Sequence, residues 1–197
     1  LQKIGAALRE DVAELGQGAA KKPRKTAVQF LVGMVMVLRN VRFALFLLVS
    51  SGFFFLYAQV YNVLPMYLKR VVETNPAVDL YTMANPFVIV FFQLLITKHF
   101  GKMRPIRSMI VGIVIIALAM IVNLIPILAA DNVRAAFLGW LPIGSVMIIL
   151  TVAMIAFGEL FTSARTYEYI GALAPKGEEG LFLGYANLPM AIGALVG

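Results

Sequence analysis

The chain has 197 residues, 61% hydrophobic and 14% charged, with a mean hydropathy of +0.88. Soluble domains carry about 25% charged residues, so this composition excludes an ordinary water-soluble fold and points to an integral membrane protein. The formal charge of +7 fits basic loops on one side of a membrane better than a nucleic-acid partner, and the lack of Cys excludes disulfides and thiol chemistry.

Residues 1–42 read as a basic cytoplasmic linker. Leu1–Leu15 is mildly amphipathic and Gly16–Thr26 is basic. Val28–Arg42 is apolar but too short to span before Arg39, so it is expected to lie along the interface. The alternative is an early start to the first span. No compact signal-peptide core is visible. The chain opens at Leu1 and closes at Gly197 within or at the end of an apolar run, the pattern expected of a piece of a longer protein.

From 43 to 197 the chain reads as a transmembrane bundle. A helix needs about 20 apolar residues to cross the hydrocarbon core. The first span is expected over Phe43–Leu68 and the second over Leu80–Thr97. The third is expected over Ser108–Ala130, ended by Pro126 and Asp131. The fourth apolar stretch begins at Ala135, but Trp140 and Pro142 mark an interfacial break, leaving a span of about Gly144–Tyr169. The fifth is expected as one helix over Gly180–Gly197. Every span should be helical, with no sheet, because lipid-exposed backbone must bond within its own segment.

Loop charge sets the orientation. Fourteen Lys and Arg lie before the first span, between the second and third, and between the fourth and fifth; three lie on the alternate side. The N-terminal segment is therefore expected in the cytoplasm, with the chain multi-pass in the cell (inner) membrane. Lys102 and Arg104 are expected near Glu178 and Glu179 on that side.

Glu159 is the acidic residue expected deep in a span, inside Val152–Ser163, with no basic residue nearby in sequence. Such a group is costly in lipid and faces a bundle interior or a water-filled cavity. The first span carries Ser51, Gln59 and Asn62 on one face, and the second carries Asn85 and Gln93. Thr151, Glu159 and Ser163 share a face of the fourth. Polar uncharged residues in spans often simply bond to neighbouring helices. That reading is preferred for Ser51, Gln93 and Thr151, while for Gln59 and Asn85 both readings stand. Glu159 is read as functional, because an ionisable group costs more than an amide. His99 is the lone His, and there is no HExxH, no GxxxxGK[ST] and no nucleophile set. No enzyme activity, metal, cofactor or nucleic-acid partner is expected.

The loop Lys98-His-Phe-Gly-Lys-Met-Arg-Pro105 resembles the basic Gly-Arg-Arg-Pro loop of the major facilitator superfamily. Within that superfamily, Gly158-Glu-Leu-Phe-Thr-Ser163 is similar to the helix-ten motif of the proton-dependent oligopeptide transporters. Asn85-Pro86 resembles their helix-eight Asn-Pro, Gln59 falls where helix seven often has Gln, and Ala174-Pro175 with Gly180-Leu181 and Gly184 resembles their approach to helix eleven. That family usually follows the helix-ten motif with Ser-Pro, whereas Ala164-Arg165 stands here, and Ala186 replaces its usual Trp.

The resemblance implies an all-α membrane protein. Its five spans would be helices seven to eleven of twelve in a six-helix half-bundle, partnered by an N-terminal half-bundle. It implies proton-coupled uptake of di- and tripeptides by alternating access. Glu159 and Asn85 would line the substrate and proton site, with Gln59 and Ser163 more peripheral. The alternatives are a major-facilitator transporter of another small solute, such as a sugar, nucleoside or drug, and a non-transporting subunit of a membrane complex. A membrane-embedded enzyme would need a catalytic set, which the sequence does not show.

Overall fold

In a computed structural model, the described residues are 32–33, 35–130 and 133–196, with no side-chain description at 129–130. The chain divides into two units, Leu1–Arg39 and Asn40–Gly197. In the first, backbone at 32–33 and 35–37 is helical and turns at 38–39. The expected amphipathic and basic segments before residue 32 lie outside the described residues.

Among the described residues, the second unit contains five helices long and apolar enough to cross a membrane, so the chain is a polytopic helical membrane protein. The first span begins at Val41, because the Asn40 side chain caps it by accepting from the Phe43 N–H at 3.3 Å. It runs as α1 (Val41–Tyr67) through Pro65 and ends in a π-helical turn, Leu68–Val72. Pro65 has no N–H to give the carbonyl four residues back, and the wider turn follows directly after it.

The second span is two segments, α2 (Val78–Thr82) and α3 (Ala84–Phe100), joined at Met83. The break sits just before Pro86, whose missing donor interrupts the ladder at Thr82. The Thr82 hydroxyl turns back to the carbonyls of Val78 and Asp79, each at 3.1 Å.

The third span differs from its expected course. Its helix α4 (Pro105–Val122) stops at Asn123, and α5 (Ile125–Ala130) resumes two residues later. Pro126 therefore does not end the helix; it occupies the first turn of the next segment, where a missing N–H costs nothing.

A small antiparallel pair, β1 (Ala136–Phe137) and β2 (Leu141–Pro142), precedes the fourth span. This corrects the expectation of no sheet, though the pair lies between spans rather than within one. Leu138 and Gly139 at its turn have φ of 53° and 84°, and Trp140 beside them is exposed.

The fourth span, α6 (Ile143–Leu173), is longer than expected, at 31 residues or roughly 46 Å. The fifth is not one helix: α7 (Glu179–Leu183) and α8 (Leu188–Val196) are separated by a turn over Gly184–Asn187. Here too the Pro, Pro189, falls in the first turn of the resuming helix.

The fourth span is the interior mast. Its most apolar window is 44% buried, against 11–28% in the other four. It packs most closely on α4, where small residues let the two backbones meet. A Cβ on Gly112 would lie 2.5 Å from the Gly158 carbonyl oxygen, and one on Gly158 would lie 2.7 Å from the Gly112 carbonyl oxygen. Hydroxyls reinforce the crossing. Ser108 Oγ donates to the Phe161 carbonyl at 2.7 Å, and Thr151 Oγ1 shares its proton between Ala119 and Met147 carbonyls at 3.1 and 2.8 Å. The interhelical role expected of Thr151 is thus met. Ser51 instead bonds back within its own helix, to Leu47, and Gln93 is exposed.

Two arginines secure helix ends. Arg134 donates to the carbonyls of Val71 and Arg70 at the end of the first span, at 2.8 and 3.3 Å. Arg165 donates to the carbonyls of Phe100 and Gly101 at the end of the second, and pairs with Glu168. Each places a cation at a helix C-terminus, where the dipole and the orphan carbonyls favour it. Near the Arg134 end, Tyr81 Oη donates to Glu73 Oε1 at 2.6 Å over a core of Leu64, Leu68, Val72, Ile148 and Val152. Lys102 and Arg104 are exposed, and their side chains form no hydrogen bond or ion pair among the described residues. Neither side chain forms an ion pair with Glu178 or Glu179; the residue seated on their loop is Arg165.

The crossing makes a direct prediction. Gly112→Val should destabilise the bundle by about 1–3 kcal/mol, the usual cost of forcing atoms into a packed site. Gly52→Ala should be neutral or slightly stabilising, since a Cβ at Gly52 meets nothing within 4 Å. Thermal unfolding in detergent compares the two. Equal melting temperatures would mean the α4–α6 approach is looser than described.

Candidate functional site

Three spans bring polar groups together around Glu159. That residue is half-buried and close to the middle of α6, in the fourth span. Side chains on a helix lean toward its N-terminus, so the carboxylate reaches back along α6 toward the start of α3. There Asn85 Nδ2 donates to Glu159 Oε2 at 3.4 Å and to Tyr61 Oη of α1 at 3.0 Å. Tyr57, one turn earlier on α1, donates its hydroxyl to Tyr61 Oη at 3.3 Å. The result is a polar chain, Tyr57–Tyr61–Asn85–Glu159, across the first, second and fourth spans.

Local backbone chemistry sets these positions. Asn85 immediately precedes Pro86 and follows the break at Met83. Tyr61 lies one turn before Pro65, at the residue whose carbonyl a non-proline residue there would have bonded. Both residues thus stand at irregular points of otherwise regular helices. The Tyr57 ring packs at 5.2 Å from that of Tyr61 and against a core of Ile116, Ala119 and Ile155. On the other side of α6, Phe157 meets Phe92 edge-on at 5.7 Å.

The hydrogen-bond inventory says what the site can do. An amide NH2 has two protons, and those of Asn85 go to Tyr61 and Glu159. Tyr61 accepts twice and keeps its own proton to donate. Glu159 has a second oxygen and further lone pairs, and no Lys, Arg or His bonds to it among the described residues. The cluster can therefore bind a polar solute or hold a proton. It lacks a nucleophile paired with a base. No group of three or more His, Cys, Asp or Glu among the described residues could hold a metal.

Of the four residues singled out in the sequence, the structure joins Glu159 and Asn85 directly. Gln59 is half-buried on α1, but lies roughly 160° round the helix from Tyr61. Ser163 is exposed, one turn beyond Glu159 on the same side of α6. Tyr57 and Tyr61 escaped the sequence reading. Their signal was present: two phenols four residues apart in an apolar run, each an apolar ring with a polar tip.

Comparison with protein-family models, with curated proteins and with solved structures finds no match to this chain. The fold and site define its class, a polytopic helical membrane protein with a mid-span carboxylate.

Tyr61→Phe removes the hydroxyl at the centre of the chain while keeping the ring. Polar bonds between membrane helices average about 0.6 kcal/mol and reach about 1.7. The variant should therefore unfold within about that range of the wild type in a detergent melt. A loss beyond about 3 kcal/mol would mean Tyr61 is a structural keystone rather than a lining group.

Proposed function

We propose that the chain is part of a secondary transporter that moves a small polar solute by alternating access, with proton uptake and release at Glu159. One observation carries this reading: a half-buried carboxyl at mid-span, bonded to neutral groups alone among its side-chain partners. An isolated carboxylate at that depth is costly. It must be met by a proton, by a cationic group of the solute, or by a basic residue from a segment beyond these spans. The first two alternate during a transport cycle, which is what coupling needs. Midplane sites built where helices are interrupted are the arrangement found in secondary transporters, and Asn85 at its proline break fits that arrangement.

In this reading the spans correspond to helices seven to eleven of a major-facilitator protein. The resemblance of Gly158–Ser163 and Asn85-Pro86 to proton-dependent oligopeptide transporters makes di- and tripeptides the first solutes to try. Sugars, nucleosides and drugs are the alternatives. Glu159 and Asn85 line the site with Tyr61. Ser163, exposed beside Glu159, would face the other half-bundle, and Gln59 is left as a weaker candidate. The excess of basic residues before the first span supports a cytoplasmic N-terminal segment.

The test is Glu159→Gln, with uptake and stability measured on the same preparation. Proteoliposomes carrying a pH gradient and labelled di- and tripeptides report transport. The proposal expects gradient-driven uptake to be abolished while the melting temperature is unchanged or raised, because a buried charge is a poor stabiliser. If Glu159 is instead half of a structural ion pair in a membrane complex, the substitution should cost about 3–5 kcal/mol and leave transport proportional to folded protein. Wild-type uptake with wild-type pH dependence would end the proposal.

A further inference from the structure

A surface at the far end of the second span is unused by the transport reading. Within the ten residues Lys98–Arg107 stand Lys98, Lys102, Arg104 and Arg107, with His99 among them and no acidic residue. All four cations are exposed, and none forms an ion pair or hydrogen bond among the described residues. The usual internal uses of such charges are already taken. Arg165 occupies the carbonyls of Phe100 and Gly101, and His99 Nδ1 lies 2.9 Å from the Leu95 carbonyl.

We propose that Lys98, Lys102, Arg104 and Arg107 form a binding surface for the phosphate headgroups of anionic phospholipids. The geometry fixes the depth. Both flanking helices, α3 and α4, are spans, and only Gly101–Arg104 connects them. Four residues reach at most roughly 14 Å along the chain. A connection that must leave and return to two bundled helices therefore stays within the interfacial layer, about 5–8 Å thick on each side. Free cations held at that depth meet headgroups rather than bulk solution. Apolar neighbours fit the same partner: Phe100 and Ile106 are exposed on either side of the cations, able to rest at the acyl boundary while the charged heads extend outward. Juxtamembrane clusters of four or more Lys and Arg attract anionic lipid. The interaction adds to any orienting role these residues have and does not depend on what the protein transports.

The full chain reconstituted in phosphatidylcholine, with trace spin-labelled phosphatidylglycerol or phosphatidylcholine, supplies the test. The motionally restricted fraction gives the relative affinity for the two lipids. The wild type should prefer phosphatidylglycerol, and molar salt should remove the preference by screening. Lys102→Gln with Arg104→Gln should reduce it severalfold, up to about fivefold per cation at low salt. Lys102→Arg with Arg104→Lys should retain it, because charge is conserved. Replacing Lys21, Lys22, Arg24 and Lys25, the other basic run, should leave the contribution of the loop intact. A wild type without preference overturns the proposal. So does an undiminished preference in the Gln pair, or loss in the charge-conserving pair. Displacement of the lipid by inorganic phosphate at constant ionic strength would also overturn it, by showing that the loop binds the free anion rather than a headgroup.

Discussion

The close approach of α4 and α6 at Gly112 and Gly158 is the contact on which the bundle depends. Lipid tails are as apolar as the side chains they surround, so burial of apolar area gives little preference for helix over lipid. Packing and interhelical bonds must hold the spans together. Two glycines remove the side chains that would keep the backbones apart, and Ser108 and Thr151 bond across the same seam. Gly158 immediately precedes Glu159, so the rigid crossing also fixes where the carboxylate points. Six residues beyond it, Arg165 ties the same helix to the end of the second span. The fourth span thus positions both the polar centre and one end of its neighbour.

Around that mast the other spans are broken rather than regular. The first widens into a π-helical turn after Pro65, the second breaks at Met83, the third at Asn123 and the fifth over Gly184–Asn187. Two of these irregularities lie beside Asn85, which bonds to Glu159, and beside Tyr61, which bonds to Asn85. A straight helix has its backbone bonds satisfied and resists bending, whereas a proline site has already lost one bond and bends at lower cost. For the transporter proposed above, a polar cluster walled by one straight span and two spans of lower bending cost suits a site that opens by turns to each side. Asn85 to Glu159 is long at 3.4 Å, a contact that an incoming solute could replace.

Much of this was legible in the sequence, for a physical reason. The existence and order of five spans follow from apolar run length, which the bilayer dictates. Asn85 and Glu159 were legible because a polar group in an apolar run stands out. Tyr61 was not, because its ring counts as apolar while its hydroxyl carries the bond. The polar stripe of Ser51, Gln59 and Asn62 shows why spacing alone misleads here. Spacing says which residues share a face, but in lipid both faces are apolar and the pattern does not say which one turns inward. The face of α1 that meets its neighbours carries Phe43, Leu47, Ser51, Tyr61 and Leu64, so Ser51 of the stripe is buried there while Gln59 is half-buried and Asn62 exposed. The breaks inside the third and fifth spans were not legible. Pro126 reads as a stop and Pro189 as part of a continuous span, yet each falls in the first turn of a resuming helix.

The central claim is that Tyr61, Asn85 and Glu159 face water that a solute can displace, and cysteine accessibility tests it most directly. The chain contains no Cys, so single substitutions supply the only thiols. Tyr61→Cys and Asn85→Cys probe the site, and Leu94→Cys, on a fully outward position of the second span, probes the lipid face. Thiols react as thiolates, which need water. Membrane-impermeant thiol reagents should modify Cys at 61 and 85, saturating di- or tripeptide should protect both, and Cys at 94 should stay unmodified. Cys at 61 and 85 as inert as Cys at 94, with or without peptide, would place these residues in a dry interface and contradict the account.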